Sequence, residues 1–360
     1  METLQVGLGS RSYEIRIGRG LLDSGWSGLP ENRRALIISD SNVDPLYGAR
    51  CQAALSGLGW NVSREVVPAG ENSKSVQCLS GLYERAVEAG LDRSSYIVAL
   101  GGGVVGDLAG FLAASFLRGV RLIQVPTSLL ALVDSSVGGK TGINLPQGKN
   151  LVGAFYQPDF VLADLACLDT LPPREYVSGL AEVVKYGIIW DAEMFGRLEQ
   201  DRQALLDRDD AVLEAVVARS CEIKAEVVSV DERESGVRAI LNFGHTLGHA
   251  IEAVAGYERW LHGEAVAAGA DYALRLSVAR KGMPAAEAAR VRTLQELFGL
   301  PGLTNPDIAG LPWDALRRAM GTDKKTVAGT PRFVLSERLG AVHFGCEVSE
   351  EDLERVFKEG

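Results

Sequence analysis

Residues 95–126, SYIVALGGGVVGDLAGFLAASFLRGVRLIQVP, contain the pattern that decides the fold of the first half of the chain. An apolar run at 95–100 predicts a buried strand, and residues 104–116 predict a helix that leads to another strand at 120–126. The same alternation occurs upstream, where we expect strands at 34–40 and 61–67 and helices at 44–57 and 75–89. Strands that alternate with helices imply a mostly parallel sheet covered on both faces.

This stretch also resembles a membrane span, because Asp107 is the only charged residue between Arg93 and Arg118. A continuous spanning helix of about 20 apolar residues would not place three glycines and a carboxylate at its middle. A buried strand, a tight loop and a buried helix explain the composition better.

The chain has 360 residues, and at about 150 residues per domain this length suggests two domains. After LPP at 171–173, strand-like runs become rare and helical periodicity dominates to about residue 300. We therefore predict an α/β domain at 1–171 and an all-α domain at 172–360.

The formal net charge is −10 and no long basic run occurs, which argues against nucleic acid as a partner. Five scattered cysteines without a C-x-x-C spacing argue against a disulfide framework or a cysteine zinc site. The N-terminus lacks a basic segment followed by an apolar core, so we expect no signal peptide and a cytoplasmic protein.

The glycine loop GGGVVG matches G-x-G-x-x-G through Gly101, Gly103 and Gly106, between a predicted strand and a predicted helix. Its backbone N–H groups could hold a pyrophosphate, although a tight structural turn is the alternative. The loop comes after several strands and no acid follows at the usual distance of about 20 residues. Asp40, at the end of a strand, is a better candidate for the ribose hydroxyls.

The segment DSSVGGKTGIN at 134–144 resembles a phosphate-binding P-loop, but the first required glycine is Asp134, so that motif fails. Lys140 remains in a glycine-rich setting that we interpret as a loop, with Lys149 and Asn150 close behind. Two lysines and amide donors suit an anionic ligand, whereas ordinary surface lysines are the alternative.

Two of the four histidines, His245 and His249, lie in LNFGHTLGHAIE at 241–252. Interpreted as one helix, this region places them on the same stripe as Arg238 and Asn242. Thr246 replaces the glutamate that a zinc protease needs after its first histidine, so that chemistry is excluded.

A metal site nevertheless remains open, because His262 and Glu264 follow in HGE. Glu182 and Lys185 are the only charged residues in GLAEVVKYGII at 179–189. They could form a local ion pair, but apolar flanks indicate a buried face, where a charge needs a partner or a metal.

Several segments together resemble the 3-dehydroquinate synthase family, the sugar-phosphate cyclases of the shikimate pathway, from about residue 35 to 340. They occur in the family's order: GGGVVGD, VPTSLLALVDSSVGGKTGIN, GKNLVGAFYQP, LPPREYVSGLAEVVKYG, DERESGVRAILNFGHTLGHAIE, HGEAVA, DKK and RFVL. The resemblance implies an NAD-binding α/β domain, a helical domain that binds metal and substrate, and a homodimer.

The resemblance also implies roles for individual residues. The metal, zinc or else cobalt, would be bound by Glu182, His245 and His262, and His249 would face the substrate phosphate. NAD would be held by residues spread over the first domain: Asp40, Asn42, Gly70, Glu71, Lys74, Gly102, Gly103, Val104, Asp107, Thr127, Ser128, Lys140, Lys149, Cys167 and Thr170.

The substrate phosphate would meet Lys140, Asn150, His249, Lys324 and Arg118, the last from the other subunit of the dimer. The substrate carboxylate would meet Arg238 and Lys224. Hydroxyls or the metal water would be held by a further polar set, Asp134, Lys185, Glu234 and Asn242.

The implied reaction converts 3-deoxy-D-arabino-heptulosonate 7-phosphate into 3-dehydroquinate and phosphate. It proceeds by transient oxidation with NAD, phosphate elimination, re-reduction and aldol closure. The alternatives are another sugar-phosphate cyclase of the amino-dehydroquinate or valiolone type, a metal-dependent polyol dehydrogenase and a binding protein without catalytic activity.

Overall fold

The computed structural model describes residues 1–256, 258–322 and 331–359. The chain divides into two compact units, one of Met1–Leu171 with Leu213–Ser229 and the other of Pro172–Val212 with Val230–Gly360. The sequence predicted one boundary near 171 and assigned all later residues to the second domain. The structure instead groups Leu213–Ser229 with the first unit, where Cys221 and Lys224 of this segment hydrogen-bond to Leu132 and Asp134.

The first unit contains a seven-stranded sheet in the order β1-β2-β9-β6-β5-β3-β4. Its strands are β1 (Glu2–Val6), β2 (Tyr13–Gly18), β3 (Arg34–Asp40), β4 (Asn61–Val67), β5 (Tyr96–Gly101), β6 (Arg121–Pro126) and β9 (Phe160–Asp164), with a separate hairpin of β7 (Lys140–Leu145) and β8 (Gly148–Phe155). Strands β1 and β2 pair antiparallel, and all other pairs in the large sheet are parallel. The predicted mostly parallel sheet is confirmed.

Helices cover both faces of this sheet: α1 (Leu21–Ser24), α2 (Ala49–Gly57), α3 (Val76–Glu88) and α4 (Gly103–Ser115). Alternate residues of β3 enter different cores, since Leu36 packs with α3 and α4, whereas Ile37 packs with α1 and α2. A strand buried on both faces reads as a continuous apolar run, which explains why ALII at 35–38 and IVAL at 97–100 lack alternation.

Lys140, Lys149 and Asn150 lie on strands and not in the glycine-rich loop that the sequence predicted. Lys140 begins β7, and the other two residues lie in β8. The glycines that suggested a loop instead permit close strand pairing, because Gly142 and Gly153 lie opposite each other in the hairpin.

The second unit is mostly helical, and its helices are α5 (Pro173–Ile189), α6 (Ala192–Gln200), α7 (Arg202–Leu206), α9 (His245–Ala255), α10 (His262–Lys281), α11 (Ala285–Phe298), α12 (Pro306–Ala309), α13 (Trp313–Thr322) and α14 (Glu350–Lys358). Helix α8 (Asp210–Val230) carries the segment that belongs to the first unit. An antiparallel hairpin of β10 (Phe333–Arg338) and β11 (Ala341–Cys346) is present as well. The prediction of an all-α domain therefore missed this hairpin, whose Phe333 and Leu335 enter the core formed by α9, α10 and α14.

The predicted single helix through Arg238 and His249 is interrupted. Residues Val237–Asn242 form a 3-10 helix, and α9 begins only at His245. Phe243, with an extended ψ of 128°, ends the first helix, and Gly244, with a φ of +80° that favours glycine, is the N-cap residue of α9. His245 and His249 consequently share a helical stripe, whereas Arg238 and Asn242 belong to a separate element.

A helix needs about 20 consecutive, predominantly apolar residues to cross a bilayer. In residues 1–256, 258–322 and 331–359, no helix is sufficiently long and apolar to cross a membrane.

Candidate active site

The residues predicted to hold NAD lie where parallel strands of the first unit end. Asp40 ends β3, Gly101 ends β5 and Thr127 follows β6, and these strands are neighbours in the sheet. The segments Glu71–Ser73 and Leu165–Thr170 follow β4 and β9 as short 3-10 helices. Ligands of open α/β sheets bind outside the carboxyl ends of the strands, so this edge is suited to a nucleotide.

The glycine loop begins α4 as the sequence predicted. Gly102 is the N-cap residue of this 13-residue helix, and Gly103 and Val104 form its first turn. The N–H groups of a first helical turn have no partners within the helix and attract anions. The loop therefore has the local geometry of a phosphate-binding turn.

Asp40 and Thr170 already participate in local contacts. One carboxylate oxygen of Asp40 accepts hydrogen bonds from the backbone N–H groups of Asn42 at 2.8 Å and Val43 at 3.1 Å. The Thr170 hydroxyl lies 2.6 Å from the Tyr47 hydroxyl. Cys167 is buried, and burial raises the pKa of its thiol, as is usual for a structural cysteine.

A buried lysine joins the predicted cofactor residues to the predicted substrate residues. The Lys74 ammonium donates hydrogen bonds to Asp107 at 2.7 Å and to Asn150 at 2.5 Å. Burial lowers the pKa of Lys74, but Asp107 and Glu71 raise it above the ordinary value, so the group stays charged. This ammonium fixes the Asn150 side chain, whose residue has a φ of +52°.

Asn144, which was not among the predicted site residues, belongs to the same network. Its side-chain amide donates to Glu71 at 2.7 Å and its oxygen accepts the Asn150 backbone N–H at 2.8 Å. The signal was available, because Asn144 is the final residue of the quoted segment DSSVGGKTGIN.

Asp134 and Lys224, predicted to contact different parts of the substrate, contact each other. The Lys224 ammonium donates to the Asp134 carboxylate at 2.7 Å. Asp134 lies in the short π-helix Ala131–Ser135, and the Lys224 side chain is nearly buried. The pair forms a polar group within the first unit.

Three helices of the second unit bring Glu182, His245 and His262 together. Glu182 lies in the middle of α5, His245 begins α9 and His262 begins α10. One ligand atom from each of these residues lies within 4.8 Å of the others. The predicted metal ligands, which are distant in sequence, therefore form one cluster.

Two glycines of α10 allow this helix to pack closely against α5 and the start of α9, which brings the predicted metal ligands together. A Cβ atom at Gly263 of α10 would lie 1.9 Å from the Ser178 carbonyl oxygen of α5, and one at Gly269 would lie 1.9 Å from the Gly244 carbonyl oxygen. Real Cβ atoms do not approach backbone oxygens at such distances. Side chains at these two positions would separate α10 from α5 and α9.

The cluster fits a zinc-like ion. Ligand atoms at about 2.0–2.2 Å from a tetrahedral zinc lie roughly 3.3–3.6 Å from one another. Glu182 Oε1 lies 3.7 Å from His245 Nε2 and 3.5 Å from His262 Nε2. Two imidazoles and one carboxylate also form a donor set that zinc accepts while leaving a position for substrate.

The protonation of the imidazoles is consistent with this role. His245 Nδ1 lies 3.1 Å from the Phe243 carbonyl oxygen, which favours the tautomer with Nε2 available as a ligand. Burial lowers the pKa of His262, but contacts with Glu182 and Glu252 raise it more, to about 10. A cation bound here would replace a proton.

Lys185 and His249 adjoin the cluster. The Lys185 ammonium forms an ion pair with Glu182 through Oε2, the other carboxylate oxygen, and both side chains are buried. The His249 ring centroid lies 5.3 Å from that of His245 and 6.0 Å from that of His262. Both predicted neighbours are therefore close to the candidate metal position.

Glu234 and Asn242 form a second polar pair in this unit. The Asn242 amide donates to the Glu234 carboxylate at 2.6 Å. Arg238, only 1% exposed, donates to the Glu232 carbonyl oxygen, and its backbone N–H donates to Asp231 at 3.0 Å. These contacts hold the predicted residues Glu234, Arg238 and Asn242 on one short segment.

Three further predicted residues, Arg118, Ser128 and Gly70, lie in turns or directly after a strand. Arg118 is exposed at the end of a tight turn, where it has a φ of +67° and the preceding Leu117 has a φ of +51°. Ser128 follows β6 and accepts a backbone hydrogen bond from Ala131 at 3.3 Å, and Gly70 precedes the turn Glu71–Ser73. Lys324 lies outside the described residues.

Glu264, considered as a carboxylate ligand because it follows His262 in HGE, has a different role. Its oxygens accept two hydrogen bonds from Arg174 at 2.7 and 2.8 Å and one from the Leu261 backbone at 2.8 Å. It stabilises the start of α10 and does not belong to the cluster.

Glu252, which was not among the predicted site residues, adjoins the cluster on the opposite side of His262. Its Oε2 lies 3.3 Å from His262 Nδ1, and together with His249 and His262 it forms a second set with metal-ligand spacing. Its position three residues after His249 in HTLGHAIE was the signal available.

Comparison with known proteins identifies related sequences along the chain. The family model described as 3-dehydroquinate synthase N-terminal matches residues 64–178, and the one described as 3-dehydroquinate synthase C-terminal matches residues 179–326. A 3-dehydroquinate synthase of Desulforamulus reducens is 47% identical over 367 aligned residues, covering 100% of both chains.

Solved structures of other cyclases are similar in fold. A 2-deoxy-scyllo-inosose synthase complexed with carbaglucose-6-phosphate, NAD+ and Co2+ has a TM-score of 0.89 and 30% identity, covering 100% of both chains. The 2-epi-5-epi-valiolone synthase of Streptomyces hygroscopicus, with NAD+ and Zn2+ bound, has a TM-score of 0.88 and 27% identity, covering 97% of both chains.

Proposed function

This chain belongs to the 3-dehydroquinate synthase family, and we propose that it converts 3-deoxy-D-arabino-heptulosonate 7-phosphate into 3-dehydroquinate and phosphate. The observation that carries the proposal is the cluster of Glu182, His245 and His262, which fits a divalent ion. The identity of 47% with a full-length curated synthase, against 27–30% with two other cyclases, favours this member of the cyclase group. The enzyme would be a carbon–oxygen lyase of the shikimate pathway.

The cofactors are NAD in the first unit and a divalent metal, zinc or cobalt, in the second. When bound, they supply a hydride acceptor and a Lewis acid. The proposal is supported by the polar residues at the carboxyl edge of the sheet and by the donor set on α5, α9 and α10.

The chain's own residues would hold the ionic groups of the substrate. Arg118, Lys140, Asn150, His249 and Lys324 would bind the phosphate, and cationic donors of this kind stabilise a leaving group that gains charge as its bond breaks. The Lys74 ammonium, which bonds Asn150, holds that amide in position before substrate binds.

The substrate carboxylate would pair with Arg238 and Lys224. Both side chains are nearly buried, and both carry cationic donors that can form charge-assisted hydrogen bonds with a carboxylate. Asp134, Glu234, Asn242 and Lys185 would orient hydroxyl groups, each through the polar contacts described above.

We further propose that the enzyme is a cytoplasmic homodimer. All five cysteines are free thiols, which suits a reducing compartment.

Exposed apolar side chains support the dimer. Leu117 is 40% exposed, and Leu151 and Phe155 of β8 are each 43% exposed. An exposed apolar strand of this kind is suited to covering by a second copy.

The test measures phosphate and NADH in the same reaction. With the heptulosonate phosphate, NAD and zinc, we expect stoichiometric phosphate release without net NADH, and loss of both metal binding and turnover in His245→Ala. His343, which contacts Glu337 at 2.9 Å on the exposed hairpin, provides the matched control, since His343→Ala should keep full activity.

Other outcomes would assign the chain differently. Accumulation of NADH would indicate a polyol dehydrogenase. Phosphate release only from a sugar phosphate without a carboxylate would indicate another cyclase, because Arg238 and Lys224 would then have no carboxylate to bind.

A further inference from the structure

The side chain of His262 lies between two buried carboxylates. Its Nε2 faces Glu182 Oε1 at 3.5 Å, and its Nδ1 faces Glu252 Oε2 at 3.3 Å. Glu182 is completely buried and Glu252 is 4% exposed. A carboxylate is costly to bury without a specific partner, so the position of Glu252 requires an explanation.

In the two histidines of the cluster, the Nδ1 atoms contact different kinds of group. His245 directs Nδ1 at the neutral carbonyl of Phe243 at 3.1 Å, whereas His262 directs the same ring atom at a carboxylate. An imidazole that donates Nδ1–H to a carboxylate has a fixed tautomer, a fixed ring orientation and a more basic Nε2. Glu252 is placed to give His262 these three properties.

Glu252 also has ligand spacing with His249 and His262, so a direct bond to metal is the alternative. Two distances favour the indirect role. Glu182 Oε1 lies at similar distances, 3.7 and 3.5 Å, from Nε2 of His245 and of His262, and Glu252 lies on the opposite ring edge of His262. Helix α9 thus contributes a ligand at its first residue and an outer carboxylate two turns later.

We propose that Glu252 is a positioning residue that orients His262 for metal binding and increases its basicity through Nδ1. The inference rests on the proposed metal centre and adds to it a residue that does not itself contact the metal. Loss of the carboxylate should weaken the metal site without removing a ligand.

The experiment titrates metal-free full-length protein with Co2+ and measures affinity by competition with a chelator, together with the visible absorption spectrum of the bound ion. We expect Glu252→Ala to bind about 10–100-fold more weakly than the unmodified protein. Glu252→Gln keeps an acceptor oxygen but loses the charge. Its affinity for Co2+ should therefore lie between those of the unmodified protein and Glu252→Ala. Both variants should keep the absorption spectrum of the unmodified protein, because the ligands are unchanged.

Asp271→Asn is the matched control. Asp271 is 2% exposed and lies on α10, but it pairs with Arg275 at 3.0 Å and not with a histidine. Its loss should lower thermal stability and leave Co2+ affinity unchanged, which separates positioning from a general effect of removing a buried carboxylate.

Two results would overturn the inference: unchanged Co2+ affinity in both Glu252 variants, or an altered spectrum in Glu252→Gln, which would make Glu252 a ligand. If circular dichroism shows that Glu252→Ala does not fold, the Co2+ affinity and spectrum of Glu252→Gln alone test the inference. Failure of the unmodified protein to bind Co2+ would instead reject the proposed metal centre, and with it this inference.

Discussion

At the scale of single residues, Asp231 organises the segment that carries Glu234 and Arg238. Its carboxylate accepts backbone hydrogen bonds from Ser235 at 2.9 Å, Gly236 at 2.7 Å and Arg238 at 3.0 Å. Glu234 within this turn has a φ of +58°, a conformation that non-glycine residues rarely adopt. The side chain of Asp231 therefore stabilises a backbone that would otherwise relax.

Replacement of Asp231 with Asn should destabilise the protein in a pH-dependent way. Burial raises the pKa of Asp231, but the three backbone donors lower it below the ordinary value of 3.8. A lowered pKa gives stability that is present above the unfolded-state pKa and is lost as pH falls through the folded-state pKa. The free energy of unfolding should drop by about 1–3 kcal/mol at neutral pH, and the difference should shrink below pH 3.8.

Denaturant unfolding of both proteins across this pH range measures the effect. Asp314→Asn is the control, because Asp314 is exposed and its replacement makes the same change in net charge. If the difference in the free energy of unfolding between Asp231→Asn and the unmodified protein stayed constant down to the lowest pH, the stabilising role of the ionised Asp231 carboxylate would be contradicted.

At the scale of elements, the candidate metal centre depends on how closely α5, α9 and α10 pack. The Gly263 backbone N–H donates to the Ser178 hydroxyl at 3.1 Å, and His262 immediately precedes this contact. The position of the imidazole is therefore coupled to the separation of α5 and α10.

Gly263→Ala should move α10 away from α5 and weaken metal binding. The added Cβ would meet the Ser178 carbonyl oxygen at 1.9 Å, and such overpacking costs about 1–3 kcal/mol. Gly196 of α6 is the matched control, since nothing lies within 4 Å of a Cβ there and alanine should stabilise this helix by about 1 kcal/mol. Thermal unfolding and Co2+ titration of both variants provide the measurement. Full Co2+ affinity in Gly263→Ala would show that the helix separation does not position His262.

The sequence predicted elements well where the signal was local and poorly where it depended on packing. The strand at 34–40 was predicted correctly, because a strand covered on both faces reads as a nearly continuous apolar run. The strand at 61–67 was also predicted correctly, although it lies at the edge of the sheet and only its last residue, Val67, is buried. The interruption at Gly244 was missed, since a glycine in an apolar helical pattern does not reveal its φ angle. The three metal ligands came from resemblance to a family, because no periodicity connects Glu182 with residues that lie more than two elements away.

At the scale of the whole molecule, the exposed turn at Leu117 and Arg118 adjoins the end of β8. Tyr156 follows β8, donates to the Val120 carbonyl oxygen at 2.7 Å and lies within 3.2 Å of where a Gly119 Cβ would be. The charged side chain of Arg118 and the apolar side chains of β8 thus belong to one surface region of the first unit. A dimer formed through this region would offer Arg118 to the partner.

Mixing two inactive variants tests whether Arg118 acts across the dimer. In a dimer of Arg118→Ala with His245→Ala, one site would have both an intact metal centre and an intact arginine. Random association should therefore restore about a quarter of the original phosphate-release rate. The variants are coexpressed with different tags, and heterodimers are confirmed by mass spectrometry before the assay.

The control pair is His245→Ala with His262→Ala. Both ligands belong to the same unit, so each subunit of this heterodimer lacks its own metal centre and no activity should return. Absence of recovery in the Arg118 mixture, with heterodimers present, would place Arg118 in its own subunit or outside the reaction.

The pairing of Lys185 with Glu182 has a consequence for biogenesis. Because the ammonium contacts Oε2 while Oε1 faces the histidines, the carboxylate keeps a counter-charge even when no metal is bound. A newly synthesised polypeptide can thus complete this helical unit before it encounters a metal ion.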